Sequence, residues 1–201
     1  MEPELGPWSL GEYITITDEC LQHGGKLYIT SVVDSLFNNL PPALIEKQKE
    51  ANGVLTITQK SVVEVTAGEK ERVCLLDPRG KSELAPEDGD WKEDAKGFKW
   101  FVFGGILGDD PPRDRTAELR DLGFEGRRLG PVQMTTDTAV RVTRLVVQGK
   151  QELEKIKYVD FPEIRISKRE TTEMPFRYVV GEDGQPVIPP RVLDLIKNGD
   201  M

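Results

Sequence analysis

The residues best placed to do chemistry are glycines that end two short strand-like runs between residues 100 and 139. Trp100–Phe103 is followed directly by Gly104, and the run 127–129 is followed by Gly130. Glycine has no Cβ to collide with a ligand, so a strand ending there exposes bare backbone. In open α/β sheets, ligands bind at the carboxyl ends of the strands. The pattern therefore predicts a pocket for a small molecule, built mostly from backbone groups.

Other kinds of catalytic chemistry find little support in the composition. His23 is the single histidine, so histidine-rich metal sites are excluded, and its place before Gly24 indicates a helix end that favours a positive charge. Cys20 and Cys74 are the only cysteines. Two thiols without a framework of spacings indicate a reducing compartment, and we expect a cytoplasmic protein.

Charge and length narrow the class of partner. The 201-residue chain carries a net charge of −8 and has an estimated pI of 4.9. Proteins that grip phosphates usually present a basic face, so direct binding to nucleic acid is not expected and a basic partner is favoured. No run of 18 apolar residues occurs, and the first residues do not look like a secretory signal, so no membrane association is expected.

Three short strands and one helix must position the glycines. Val73–Leu76 and Trp100–Phe103 are apolar runs bounded by turn residues, which predicts buried strands, and 127–129 predicts a third. Thr135 or Thr136 can cap a following helix. That helix carries an apolar stripe with helical spacing, formed by Ala139, Val142, Leu145 and Val146.

The remaining elements are predicted from periodicity and caps. Ser9 is the expected N-cap of a helix that runs to Leu21. The segment 54–66 is ambiguous between strand and helix, and 156–159 is expected to be the last strand. The other expected elements are a strand at 26–33, a helix at 42–49, a loop at 81–97, a short helix at 116–122 and a closing helical turn at 192–196.

Several longer strings resemble a known superfamily. L-G-P-V-Q-M-T-T-D-T-A at 129–139, with G-G-I-L-G at 104–108, resembles the SPOUT superfamily of S-adenosylmethionine-dependent methyltransferases. V-C-L-L-D-P at 73–78, P-P-R-D-R-T at 111–116 and T-E-M-P-F-R-Y at 172–178 resemble one eukaryotic branch of it. In fungi that branch methylates an arginine of a small-subunit ribosomal protein. The resemblance implies one α/β domain over residues 1–201, with a mostly parallel central sheet and a trefoil knot around the cofactor.

The resemblance also implies S-adenosylmethionine as the cofactor and indicates which residues bind it. By analogy, Leu76, Leu107, Leu129 and Met134 would enclose the adenine, although the same side chains could equally be core packing. The full set of expected cofactor-binding residues is Leu76, Asp77, Pro78, Gly104, Gly105, Leu107, Gly108, Leu129, Gly130, Met134, Thr135, Thr136, Thr138 and Ala139.

Methyl transfer to an arginine needs a carboxylate, because the guanidinium does not lose its proton unaided. The guanidinium must also be held in line with the methyl group of the cofactor. Asp109, directly after the G-G-I-L-G string, and Glu173 are the preferred catalytic candidates. The alternative is that the acids near these strings form internal ion pairs with arginines, and this alternative stays open. The candidate arginines are Arg113, Arg115, Arg127, Arg128 and Arg177.

The expected function is therefore that of a monomeric protein-arginine N-methyltransferase acting on a ribosomal protein of the small subunit. One alternative is a SPOUT RNA methyltransferase, which should require a basic patch. A second is a ribosome-associated binding module that keeps the pocket but transfers no methyl group. The family ordinarily begins with a short apolar strand before the segment matching Glu2-Pro3-Glu4, so that N-terminal strand is expected to be missing and part of the sheet unpaired.

Overall fold

The structure, a computed structural model, describes residues 4–91, 97–104, 116–167 and 170–199. By their contacts these residues divide into two units. Unit 1 comprises the described residues of Met1–Gly68, Arg165–Glu170 and Ile188–Met201, and unit 2 those of Glu69–Ile164 and Thr171–Val187. The expectation of a single domain stays a prediction, as does that of a missing N-terminal strand.

Unit 1 combines helices with one short parallel strand pair. Its elements are α1 (Pro7–His23), β1 (Leu27–Ile29), α2 (Asp34–Phe37), α3 (Pro42–Glu50), β2 (Leu55–Ile57), α4 (Val62–Val65) and α7 (Pro190–Asn198). β1 pairs in parallel with β2, so that Tyr28 lies opposite Thr56. The ambiguous segment 54–66 thus contains a strand and then a helix. That helix begins at Ser61, whose side chain forms a capping box with Glu64.

Helix α1 shows where the predicted boundaries hold and where they do not. The helix begins at Pro7 rather than after Ser9, because proline is already suited to the first helical position. The N-cap is Gly6 and Ser9 lies inside the helix, so the prediction of Ser9 as the N-cap is wrong. His23 is the last helical residue and Gly24 follows with φ +78°, which confirms the predicted helix end. Thr17, which interrupts the apolar stripe, donates its hydroxyl hydrogen to the Tyr13 carbonyl at 2.7 Å.

Unit 2 contains the sheet that was predicted from the apolar runs. Its elements are β3 (Val73–Leu76), β4 (Ser82–Glu83), β5 (Trp100–Phe103), α5 (Ala117–Asp121), β6 (Glu125–Arg128), α6 (Thr136–Val147), β7 (Tyr158–Asp160), β8 (Glu163–Arg165), β9 (Thr171–Glu173) and β10 (Arg177–Val179). Four strands form a sheet in the order β4-β6-β3-β5, and every neighbouring pair is parallel. This confirms the predicted α/β fold with a parallel central sheet.

Strand β3 is central because its sequence is apolar at every position. Its four residues are all buried, and β3 has a neighbouring strand on each edge. Helix α6 covers this core with Val142 and Val146, each 0% exposed, while Ala139 and Leu145 are partly buried beside them. The predicted apolar stripe of this helix is confirmed.

The prediction that 156–159 is the last strand is wrong. β7 occupies Tyr158–Asp160, and three further strands follow it. β7 pairs with β10 in antiparallel register, whereas β8 and β9 pair with each other. These strands have three residues each, which is too short for an alternating pattern to be recognised.

Within the described part of the chain, no helix is long and apolar enough to cross a membrane.

Candidate functional site

The parallel register brings three of the predicted cofactor segments to one edge of the sheet. Leu76, the last residue of β3, lies opposite Phe103 of β5 on one side and Arg127 of β6 on the other. The chain segments that follow these strands therefore leave the sheet side by side. Asp77, Gly104 and Leu129 belong to these segments. We call this edge, with residues 129–135 leading to α6, the carboxyl edge.

The loop of residues 129–134 fits a ligand that is held by backbone. Gly130 has φ +94°, a conformation that residues with side chains rarely adopt. Among the described residues, a Cβ built on Gly130 would have a single neighbour within 4 Å, the Nη1 atom of Arg177 at 3.7 Å, so these residues leave space beside the backbone. In the described part of the chain, the backbone N–H groups of Leu129 and Gly130 donate to no backbone carbonyl. Open space beside unpaired donors is what a cofactor bound by backbone hydrogen bonds requires.

Threonines form the junction between this loop and helix α6. Thr135 occupies the N-cap position with extended backbone, as predicted, but its side chain makes no capping hydrogen bond. Its hydroxyl donates instead to the hydroxyl of Thr138 at 2.8 Å, and both residues are buried. Thr136 is also buried, and Ala139 packs against the core. The threonines hold the start of α6 through contacts inside the protein.

The expected adenine-lining residues also belong to the core. Leu76 and Met134 are members of the main hydrophobic cluster of unit 2, and Leu129 packs against it. Core packing, the alternative weighed above, therefore applies to all three side chains. Their predicted contact with the cofactor stays a prediction, and it is compatible with their position at the carboxyl edge.

Asp77 braces the carboxyl edge from inside. Its carboxylate accepts hydrogen bonds from the Arg120 guanidinium, the Thr116 hydroxyl and the backbone N–H of Arg79. The backbone carbonyl of Asp77 accepts the Gly80 N–H at 2.8 Å, which closes a turn through the exposed Pro78. Burial raises the pKa of the Asp77 carboxyl, but the hydrogen bonds from Arg120 and Arg79 outweigh burial and hold that pKa below its ordinary value.

Several arginines near the edge are engaged in ion pairs. The Nε atom of Arg127 lies 3.0 Å from Asp88, and that of Arg128 lies 3.5 Å from Glu83. Arg127, Arg128 and Arg177, the last of which binds Asp160, are thus engaged in ion pairs, while the alternative that the acids near the predicted strings pair with these arginines stays a prediction. Their partners come from outside the acids that were considered for catalysis.

Arg177 was considered only as an ion-pair partner, and the structure gives it a more central position. Its guanidinium binds Asp160 through Nε at 2.6 Å and Nη2 at 2.8 Å, and lies 4.7 Å from the centroid of the Tyr158 ring. The hydrogen bonds from Arg177 lower the pKa of Asp160, and burial raises the pKa of Tyr158 to about 12. The string T-E-M-P-F-R-Y contains Arg177, but no spacing in the sequence joins it to Asp160 or Tyr158.

The two catalytic candidates are not brought together by the described residues. Asp109 lies outside the described residues, as do the expected cofactor residues Gly105, Leu107 and Gly108. Glu173 ends strand β9 and is exposed, and among the described residues its side chain forms no ion pair. The roles of Asp109 and Glu173 stay predictions.

Nucleophilic cysteine and bound metal find no support in the described residues. Burial, with a further contribution from the charge of Asp88, raises the pKa of the Cys74 thiol to about 12, so it is protonated at neutral pH. Across residues 4–91, 97–104, 116–167 and 170–199 there is no group of histidine, cysteine and acidic side chains suited to a metal ion.

Comparison with known proteins gives matches along the whole chain. A family described as protein arginine N-methyltransferase SFM1-like matches residues 1–201. The protein arginine N-methyltransferase SFM1 of Saccharomyces cerevisiae is 41% identical over 210 residues, which cover 98% of this chain and 91% of that protein. The crystal structure of the yeast arginine methyltransferase SFM1 complexed with SAM superposes with a TM-score of 0.83 at 40% identity, covering 99% of this chain and 88% of that one.

A more distant structure is similar in fold alone. Full-length spTrm10 in complex with SAH superposes with a TM-score of 0.53 at 16% identity, covering 74% of this chain and 82% of that one. The superposition supports a shared arrangement of helices and strands, and at this low identity it carries no information about substrate.

Proposed function

Because the chain belongs to the SFM1-like protein arginine N-methyltransferase family, we propose that it methylates an arginine of a ribosomal protein of the small subunit. The chain is an S-adenosylmethionine-dependent methyltransferase with a SPOUT-like α/β fold. The trefoil knot of that fold stays a prediction here. We further propose that the protein acts as a monomer in the cytoplasm, where Cys20 and Cys74 would stay reduced.

The observation that carries the proposal is the carboxyl edge. There the ends of β3, β5 and β6 meet near Gly130, beside which the described residues leave space and accept no backbone hydrogen bond from Leu129 or Gly130. When bound, S-adenosylmethionine supplies an electrophilic methyl group on a sulfonium. The backbone of the 129–134 loop would hold the cofactor, and the apolar residues Leu76, Leu129 and Met134 would exclude water from it.

The remaining chemistry falls to carboxylates. The substrate guanidinium is protonated at neutral pH, so a carboxylate must orient it and accept the proton that leaves the methylated nitrogen. We propose Asp109 and Glu173 for these two tasks. Asp77 is not proposed for them, because its carboxylate is already bound to Arg120, Thr116 and Arg79.

Charge supports protein rather than RNA as the substrate. The chain has a net charge of −8, and Arg120, Arg127, Arg128 and Arg177 are each paired with a carboxylate. Paired arginines offer little net positive charge to phosphates, whereas an acidic surface attracts a basic polypeptide.

Incubation with radiolabelled S-adenosylmethionine tests the substrate class. We expect label to enter a basic small-subunit ribosomal protein and little label to enter purified rRNA or tRNA, because the acidic protein repels phosphates. The labelled ribosomal fraction should be digested separately with protease and ribonuclease, and the modified arginine located by mass spectrometry.

Each outcome of that experiment bears on one alternative. Label that survives protease and disappears with ribonuclease would establish an RNA methyltransferase instead. Binding of S-adenosylmethionine measured by calorimetry, without transfer to any ribosomal fraction, would indicate a binding module that has lost its chemistry.

Removing the charge of the catalytic candidates should slow transfer without releasing the cofactor. Asp109→Asn and Glu173→Gln keep side-chain shape and remove a carboxylate. At least one of them should lower kcat/KM for the protein substrate by about tenfold or more, the scale of a lost charge-assisted contact. The Kd for S-adenosylmethionine should stay that of the unmodified protein. If neither variant changes kcat/KM, the carboxylates that serve the substrate lie elsewhere.

A further inference from the structure

The loop of residues 129–134 is bound to strand β10 through the backbone of Arg177. The Arg177 N–H donates to the Gln133 carbonyl at 2.8 Å, and Met134 forms an isolated parallel bridge with Arg177. Arg177 therefore connects the 129–134 loop to the β7–β10 pair.

The side chain of Arg177 extends this contact to the other end of the loop. Its Nη1 atom is the neighbour that a Cβ at Gly130 would meet, at 3.7 Å. The remaining guanidinium nitrogens, Nε and Nη2, bind Asp160. Its backbone thus holds the end of the loop at Gln133 and Met134, while its side chain packs beside the beginning at Gly130.

Asp160 and Tyr158 fix the position of the Arg177 guanidinium. Asp160 is the cross-strand partner of Arg177 in the β7–β10 register, so both residues are placed by the same strand pair. The ring of Tyr158, which packs against the core cluster of unit 2, supports the guanidinium at 4.7 Å. The Arg177 side chain is 18% exposed and that of Asp160 is 37% exposed, so solvent screens the pair in part.

The 129–134 loop needs support from Arg177 because the first residues of the loop do little to fix its conformation. Gly130 permits many backbone conformations, and within the described residues Leu129 and Gly130 donate no backbone hydrogen bond. Backbone groups that must meet a cofactor bind it well only when they are already in place.

We infer that Arg177 is a positioning residue, which holds the 129–134 loop in the shape that binds S-adenosylmethionine, with Asp160 and Tyr158 fixing its guanidinium. Arg177 acts through the loop and is not itself a catalytic residue. The inference rests on the proposed function, because it takes the carboxyl edge as the cofactor site.

Arginine is required at this position and lysine is not equivalent. A planar fork can bind both oxygens of Asp160, stack on Tyr158 and still direct a third nitrogen towards Gly130, whereas an ammonium group is a single point of charge. Arg177→Lys should therefore keep the charge and much of the fold but lose the fixed geometry.

The test compares Arg177→Lys and Asp160→Asn with the unmodified full-length chain. We expect both variants to raise the Kd for S-adenosylmethionine, measured by calorimetry, by about tenfold, as for the loss of one charge-assisted contact. In assays with the ribosomal protein fraction, the KM for S-adenosylmethionine should rise by a similar factor while the KM for the protein substrate stays unchanged.

Asp88→Asn is the matched control. Asp88 pairs with Arg127, whose guanidinium lies 5.1 Å from the Phe98 ring, so the same kind of cluster is weakened without touching residues 129–134. Asp88→Asn should lower the denaturant midpoint while leaving the Kd for S-adenosylmethionine unchanged.

The outcomes separate this inference from the proposed function. If the unmodified protein does not bind S-adenosylmethionine, the proposed function fails. If it binds, and Arg177→Lys and Asp160→Asn bind equally well, the positioning role is wrong. An equal rise in Kd for Asp88→Asn would show a general effect of stability and would also overturn the inference. Should Arg177→Lys fail to fold, Asp160→Asn alone decides, because it leaves the arginine in place.

Discussion

Replacing Gly130 with valine should weaken the binding of S-adenosylmethionine by about a hundredfold while the chain remains folded. The reason is conformational first. Gly130 has φ +94°, and a β-branched residue is a genuine outlier at positive φ. Strain of this kind costs on the order of 1–3 kcal/mol, and the loop can relieve it only by changing the shape that presents its backbone.

The second reason is the position of the new side chain. A Cβ at residue 130 would have ordinary contact with Arg177 Nη1 at 3.7 Å, so the protein itself has space for it. The branches of valine would then occupy space beside the unpaired N–H groups of Leu129 and Gly130, where the cofactor is expected to approach. The substitution therefore acts on binding more than on folding.

Gly184→Val provides the matched control. Gly184 has φ +76°, and a Cβ built there would have no neighbour within 4 Å, so its strain is similar but it lies in a turn after β10. We expect Gly184→Val to lower the denaturant midpoint and to leave the Kd for S-adenosylmethionine unchanged by calorimetry. An unchanged Kd for Gly130→Val would show that this part of the carboxyl edge does not bind the cofactor.

The largest effect on stability is expected for Asp77→Asn. Asp77 is 4% exposed, and its carboxylate is bound to Arg120, Thr116 and the Arg79 N–H. Removing one partner of a buried ion pair typically costs about 3–5 kcal/mol. The Arg120 side chain is 31% exposed, so part of its charge returns to water and the lower end of that range is expected.

The effect of Asp77→Asn should also depend on pH. The pKa of the Asp77 carboxyl is lower in the folded protein than in the unfolded chain, where it has the ordinary value of about 3.9. The stability it contributes is therefore fully present above that value and is lost as the pH falls through the folded-state pKa. The difference in unfolding free energy between the two proteins should be constant from neutral pH to about pH 5 and shrink below pH 4.

Urea unfolding at a series of pH values would measure this difference, with Asp90→Asn as the control. Asp90 pairs with Lys150, but the two side chains are 58% and 47% exposed, so this surface pair should contribute about 1 kcal/mol or less. Equal losses of unfolding free energy for both variants would show that Asp77 does not brace the edge.

The sequence by itself determined the features that depend on local pattern. β3 and β5 have the predicted bounds, because a short apolar run between turn residues favours a strand. The predicted burial is confirmed for β3, whereas the residues of β5 are only partly buried. The stripe on α6 and the end of α1 at His23 follow from helical periodicity and from glycine as a C-cap. Gly130, two residues after β6, was identified as a glycine that follows a short predicted strand.

The tertiary structure alone decided which polar side chains meet. Asp77 and Arg120 are 43 residues apart, and Asp160 and Arg177 are 17 apart, with no spacing or periodicity to indicate either pair. A charged residue is compatible with many partners, so its choice depends on which strands become neighbours. The β7–β10 pairing makes that choice for Arg177. The local sequence determines which apolar runs form strands, whereas the pairing of charged side chains depends on which strands become neighbours.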